Sequence, residues 1–286
     1  MTQICVRITE FTDPACPWAY SAEPVRQRIN WLYEGRIEWD VRMVVLAATR
    51  QEQQEKGFTP EKLAGNLKRI AAEHRMPIDT REKPYVPPSR EARRLVVATR
   101  VHSDKLTVRR VLRSLRIRNF AGGLLDDPEV LRRAAEDADI AGEYEAWMAD
   151  PEVESQLESD AALAREPMPA AKVLDHKLAN WSGGRRYTCP SYEITRLADG
   201  VTIAIPGFQP FPVYDTILAN LVPGMDRREP AEAAAEVLEW RGFPLSTQEV
   251  ATVRDIPFDR AREELGRVAT QDYVGADGFW QLGGSR

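Results

Sequence analysis

Phe11-Thr12-Asp13-Pro14-Ala15-Cys16-Pro17-Trp18-Ala19-Tyr20-Ser21 is the stretch on which the fold of this chain turns. Just before it, Ile4-Cys5-Val6-Arg7-Ile8-Thr9-Glu10-Phe11 alternates and is rich in β-branched residues, so it reads as a strand that stops at Asp13-Pro14. From Pro17 to Tyr33 the apolar residues Trp18, Val25, Ile29 and Leu32 fall near one helical face, with Gly35 as a stop. Cys16 is thereby predicted between a strand end and a helix start. Unpaired backbone N–H groups and the helix dipole favour an anion there, which lowers a thiol's pKa and exposes the nucleophilic thiolate.

Beyond that unit, Ile37 to Leu46 alternates and then turns continuously apolar, as an inward-running strand does. A right-handed crossover makes the two strands parallel, with the helix on one face. Residues 51–180 read as a helical insertion punctuated by Lys83-Pro84-Tyr85-Val86-Pro87-Pro88 and Glu166-Pro167-Met168-Pro169. Its longest apolar stripes run over Ser89 to Arg118 and Asp127 to Asp139, the second opened by Asp127-Pro128. Strand patterns return at Pro190–Thr195 and Val201–Ile205, separated by the turn signal Asp199-Gly200, and a helix is predicted over 210–222. The expectation is an α/β fold in which 1–50 and 181–228 form one unit around the insertion. Residues 229–286 form a further module. It carries helices over Ala231–Trp240, from a capping box at Ser246-Thr247-Gln248-Glu249, and over Phe258–Ala269. A hairpin of Tyr273-Val274, a turn at Gly275–Gly278 and Phe279–Leu282 makes the module winged-helix-like.

The 286 residues are 43% hydrophobic and 29% charged, with a formal net charge of -5, so no cationic footprint favours nucleic acid or anionic lipid. Residues 230–286 hold six Arg, no Lys and ten Asp or Glu, a net charge of -4 that argues against phosphate contact by the winged-helix-like module. Neither a basic segment leading an apolar run nor a stretch of ~18 apolar residues occurs, and a cytoplasmic location is expected. Three cysteines, at 5, 16 and 189, are too few for a disulfide framework and agree with a reducing compartment. His74, His102 and His176 lack ligand spacing, so no metal is expected and the three read as surface residues. Cys5 reads as a small buried residue of its strand. Phe208-Gln209-Pro210-Phe211 reads as a helix cap, and Gly183-Gly184-Arg185-Arg186 either as a solvated loop or as a source of cations for a cofactor carboxylate.

Asp13, Cys16, Pro17 and Trp18 match the Asp-x-x-Cys-Pro-Trp-Cys motif of redox-active FrnE-type proteins, and the sequence resembles the DsbA-like thioredoxin superfamily, in particular its FrnE and 2-hydroxychromene-2-carboxylate isomerase branches. Two further stretches carry the resemblance, which extends over about residues 4–222. Tyr187-Thr188-Cys189-Pro190-Ser191-Tyr192-Glu193-Ile194 is similar to the segment that enters the third thioredoxin strand through a cis-proline, with Pro190 as the candidate. Ser89–Ala98 and Arg109–Ile140 are similar to the FrnE-type helical domain. The resemblance implies a thioredoxin-like fold with a large helical insertion and a thiol–disulfide oxidoreductase activity.

Ala19 departs from the motif at the place of its second cysteine, so Cys16 has no partner within the motif to resolve a mixed disulfide. Cys16 then works as a monothiol with an external resolver, or serves a glutathione-dependent isomerase or kappa-class transferase chemistry, or is an inert remnant in a non-catalytic interaction protein. A substitution at Ala19 made to trap a disulfide partner is a fourth reading. In this fold the residue before the cis-proline faces the reactive cysteine, and here it is Cys189, either a relocated resolving thiol or a small residue filling a tight site. The expected catalytic residues are Cys16 and Cys189. Pro17, Trp18, Ala19, Tyr20, Thr188 and Pro190 are expected around substrate or cofactor, although Trp18 and Tyr20 could equally pack inward. No tightly bound cofactor is expected, with glutathione or another low-molecular-weight thiol as co-substrate. The partners are a thiol or disulfide substrate, small molecule or protein, with neither nucleic acid nor membrane, and a homodimer left open.

Overall fold

The computed structural model describes residues 3–180 and 184–283. Strand β1 (Val6–Thr12) leads through the Cys16 loop into α1 (Pro17–Ser21), α2 (Glu23–Leu32) and β2 (Ile37–Met43). The insertion follows as α3 (Arg50–Glu55), α4 (Pro60–His74), α5 (Arg90–His102), α6 (Lys105–Phe120), α7 (Pro128–Glu136), α8 (Tyr144–Met148), α9 (Pro151–Ala164) and α10 (Pro169–Val173). After it come β3 (Leu178–Asn180), β4 (Arg185–Tyr187), β5 (Ser191–Arg196), β6 (Thr202–Ile205) and α11 (Phe211–Leu221). The chain ends in α12 (Ala234–Arg241), β7 (Leu245–Ser246), α13 (Thr247–Arg254), α14 (Phe258–Val268), β8 (Ala269–Val274) and β9 (Asp277–Leu282).

The main sheet has the order β2-β1-β5-β6, with β1 parallel to β2 and antiparallel to β5. As its central strand, β1 is covered on both faces: Val6 and Ile8 enter the largest core, whereas Phe11 packs with Tyr187 on the other side. The single helix expected over 17–33 is two. Pro24 lacks the N–H that would bond the Tyr20 carbonyl, and the chain breaks at Ala22, whose own N–H turns back to Trp18 and Tyr20. The stripe over Ser89 to Arg118 likewise divides, because Asp104 caps a new helix by accepting from the Thr107 N–H.

Helices α5 to α9 enclose a second core around Leu95, Val111, Leu115 and Leu157, which Val41 and Met43 of β2 also enter. Residues 229–283 place three helices beside a small sheet of order β7-β9-β8, and Ser246 and Glu249 form the expected capping box. Val237, Val250, Val253, Leu265 and Trp280 of this segment join the same core as Ile8, Ile29, Trp31 and Leu218. The β8–β9 turn is tighter than the sequence suggested, since Asp277 already pairs with Val274. At its tip Gly275 has φ +63°, and a Cβ there would lie 2.1 Å from the Ile78 carbonyl oxygen, so the hairpin seats backbone to backbone on the loop after α4. Among the described residues no helix is long and apolar enough to cross a membrane.

Candidate functional site

The strand β1 ends at Thr12, and its carbonyl accepts the Val44 N–H at 2.7 Å, which fixes the turn that follows. The Asp13 carbonyl accepts the Cys16 N–H at 3.1 Å, and Cys16 becomes the N-cap of α1. Pro17 occupies the first turn, where its missing N–H leaves no bond unmade. Cys16 and Cys189 are then brought together as a small buried cluster with Ala19, flanked by Trp18 and Leu46. They are 4% and 7% exposed, and both are free thiols. The peptide bond between Cys189 and Pro190 is cis.

As a thiol, Cys16 donates to the Cys189 carbonyl oxygen at 3.2 Å, and the Cys189 sulfur lies 3.8 Å from the Thr12 hydroxyl. Burial by itself pushes both thiols up. At Cys16 a hydrogen bond from the Cys189 thiol, together with the N–H groups of Ala19 and Trp18, outweighs burial and the repulsion of Asp13, and its pKa is held below the ordinary thiol value. At Cys189 burial, the S–H given to Cys16 and the Cys16 charge all act in one direction, and its pKa stands well above that value. Of the two sulfurs, Cys16 is the one whose ionised form the fold favours and Cys189 the one whose proton it retains. Sequence spacing brought no second cysteine to α1, but folding supplies one from the opposite side.

Asp13 is fully buried below this pair. It accepts from the Ala15 N–H at 2.8 Å and the Ser89 hydroxyl at 2.9 Å, while Arg93 Nε stands 3.7 Å away. Burial dominates these partners, and the carboxyl is raised above the usual carboxylate range. Arg186 is buried too, donating to the Tyr187 carbonyl at 2.7 Å, and its guanidinium feels the charge of both sulfurs and of Asp13. Within Gly183–Arg186, Arg186 therefore turns inward rather than into a solvated loop. Arg185 is solvated and pairs with Asp175, and Gly183 lies outside the described residues.

The expected surroundings of Cys16 divide. The Trp18 ring is half-buried and meets His74 edge-on at 5.1 Å and Phe208 at 5.8 Å, so three aromatic rings form one wall beside the thiol. His74 therefore corrects the surface reading, and burial lowers its pKa; Phe208 belongs to this wall as well as to the approach to α11. Ala19 is fully buried against the two cysteines. Tyr20 turns away: it is 1% exposed, stacks on Phe120 at 4.6 Å and donates to the Pro77 carbonyl at 2.9 Å, which makes it a packing residue. Thr188 is half-buried and its carbonyl is taken by the Ser191 hydroxyl at 2.7 Å. Cys5 is only half-buried and donates to the Gln3 carbonyl at 3.3 Å, remote from the site. Among the described residues no group of three or more His, Cys, Asp or Glu is arranged to hold a metal ion.

Residues 7–168 match the DSBA-like thioredoxin domain family, more than half of the chain. No curated protein sequence matches it. Among solved structures, a probable DsbA oxidoreductase from Streptomyces coelicolor superposes with a TM-score of 0.52 at 18% identity, over 79% of this chain and 93% of that one. The cytosolic disulfide reductase DsbM from Pseudomonas aeruginosa gives 0.53 at 14% identity, over 76% and 100%. The same reductase with GSH gives 0.52 at 12%, over 75% and 98%. At these identities the likeness is one of fold.

Proposed function

This chain belongs to the DsbA-like thioredoxin domain family, and on that premise we propose that it is a thiol–disulfide oxidoreductase whose nucleophile is Cys16 and whose resolving thiol is Cys189. The observation that carries the reading is the pair itself, brought together from the start of α1 and the loop before β5: a buried thiol with lowered pKa, 3.2 Å from the carbonyl of a second cysteine whose own thiol is its donor. The Cys16 thiolate attacks one sulfur of a substrate disulfide, a Cys16–substrate disulfide forms, and the other substrate sulfur leaves as thiolate. Cys189 then gives up its proton to solvent or leaving group and attacks the Cys16 sulfur, releasing the substrate as thiol and leaving a Cys16–Cys189 disulfide. Two equivalents of a low-molecular-weight thiol restore the dithiol and leave as its disulfide.

Glutathione is the thiol of choice for that last step, because the DsbM structure with GSH shares the fold and because Arg186 offers a buried cation beside the sulfurs for a carboxylate. The same features support a second reading, in which Cys16 binds glutathione for isomerase or transferase chemistry without net redox change. A reducing, cytoplasmic setting accords with three cysteines and with a cytosolic reductase among the neighbours.

The deciding experiment treats the protein with oxidised glutathione and reads the products by intact mass and peptide mapping. Wild type should end as the Cys16–Cys189 disulfide, Cys189→Ser should stop at one glutathione on Cys16, and Cys16→Ser should take up none. An adduct retained at Cys189 in Cys16→Ser would overturn the assignment. A stable adduct on Cys16 in wild type, with no internal disulfide, would move the chain to the second reading.

A further inference from the structure

Away from the sulfurs, a cleft of about 670 Å³ opens where α2, α6 and the β8–β9 hairpin meet, and no residue of the thiol site lines it. Six arginines line it against three carboxylates, Glu23, Asp137 and Asp272. Four of the six are accounted for. Arg26 pairs with Glu10 and Glu23, Arg110 with Asp139, Arg113 with Glu249, and Arg118 with Asp137. The remaining two, Arg109 and Arg241, form neither an ion pair nor a hydrogen bond among the described residues, and the Nε of each is buried without a partner. Only aromatic faces hold them: Arg109 lies 5.4 Å from the Trp39 ring centre, and Arg241 lies 4.4 Å from that of Phe243.

Guanidinium groups gathered with too few counter-charges repel one another, and their burial adds to the cost. Burial first, with the neighbouring arginines adding to it and Glu23 only partly offsetting it, brings Arg109 down to about 10 and Arg241 to about 9. The rest of the lining is mixed, with Ile117, Val274, Phe243 and Phe279 beside uncharged polar residues such as Gln27, Ser114 and Gln271, so the cleft offers apolar rings as well as cations. We infer that this cleft is a binding site for an organic oxyanion, a carboxylate or phosphate ester carried on an apolar body, with Arg109 and Arg241 meeting the charge and Phe243 and Phe279 the body. Arginine suits that role because its planar donors match such oxygens in pairs. The inference is independent of the thiol chemistry.

Calorimetric titration of the full chain with phenyl phosphate tests it, with inorganic phosphate and phenol as controls. Phenyl phosphate should bind at one site, more tightly than either control, with affinity falling as NaCl is raised. The double variant Arg109→Met with Arg241→Met should lose tenfold or more in affinity, while the unliganded variant melts at the same temperature or higher, since two unpaired cations have been removed. Absence of phenyl phosphate binding at millimolar concentration overturns the site. So does unchanged affinity in the double variant, and so does a lower melting temperature of the unliganded variant, which would assign the arginines to the fold. Equal binding of inorganic phosphate would overturn the organic class of the ligand.

Discussion

Asp13 and Glu249 are both fully buried carboxylates, yet folding moves their pKa values in opposite directions. Burial pushes each up. Glu249 is drawn back below the ordinary carboxylate range because Arg113 meets it with two nitrogens, at 2.5 and 3.0 Å, and the Ser246 N–H adds a third donor at 2.8 Å. Asp13 has neutral donors, the Ser89 hydroxyl and the N–H groups of Ala15 and Leu46, and Arg93 remains 3.7 Å off. The well-paired carboxylate ties the C-terminal segment to α6 and α2, joining a network in which Arg116 meets Glu10 and Glu23. The poorly paired one lies against the thiols. Charge compensation is thus complete at Glu249, which fastens the C-terminal segment, and incomplete at Asp13, which lies against the two thiols.

The widest gap should come from Glu249→Gln, which leaves Arg113 buried without its main counter-charge. A loss of about 3–5 kcal/mol in urea-induced unfolding is expected, with the pH profile of Cys16 alkylation unmoved. A loss under about 1 kcal/mol, the worth of an exposed pair, would break the comparison. The sign with pH follows from the lowered value: Glu249 stabilises fully above the pKa of an exposed glutamate, and that share is lost as pH falls through its folded value.

Asp13→Asn sharpens the other side. Because the folded pKa of Asp13 is raised, its contribution favours the fold at low pH and is lost as pH rises through the raised value. The variant should therefore be as stable as wild type at pH 7 or gain up to about 1 kcal/mol. Asp13 also holds the Cys16 pKa up by repulsion, so the midpoint of Cys16 alkylation should drop, by at most about one pH unit. A midpoint that rises would remove Asp13 from the electrostatics of the thiol.

The smallest effect belongs to Tyr20→Phe, which deletes one buried hydrogen bond to Pro77. Thermal unfolding should register a loss of about 1 kcal/mol, with unchanged Cys16 alkylation. A changed alkylation profile would return Tyr20 to the reactive surface.

What could be read in the sequence were the features with local causes. The alternation of β1, the proline after Cys16, the capping box at Ser246 and the turn at Asp199-Gly200 act within a few residues, and the sheet around Cys16 follows from them. Across the site, legibility ends where partners come from elsewhere. Ser89 and Arg93 reach Asp13 from α5 and its cap, Phe208 and His74 meet Trp18 from two different segments, and nothing beside Arg186 announces that it turns inward. In Lys105–Phe120 the dense arginines suggest a solvated face, but Arg116 is wholly buried, because Glu10 and Glu23 point inward to meet it. Such burial depends on two acidic residues 93 and 106 positions earlier, which no helical periodicity encodes. The split of the first helix at Pro24 was within reach, since a proline at that place removes an interior bond.

Cys16 and Cys189, the two ends of the donor contact at the site, are 173 residues apart in the chain. During synthesis at about 5–20 residues per second, roughly 10–35 s separate the emergence of the first from the emergence of the second. Over that interval β1 lacks β5, and Cys16 lacks the thiol that favours its ionised form. A half-made chain on the ribosome thus carries Cys16 without the thiol that lowers its pKa, and the pair is complete only when the last strands of the sheet arrive.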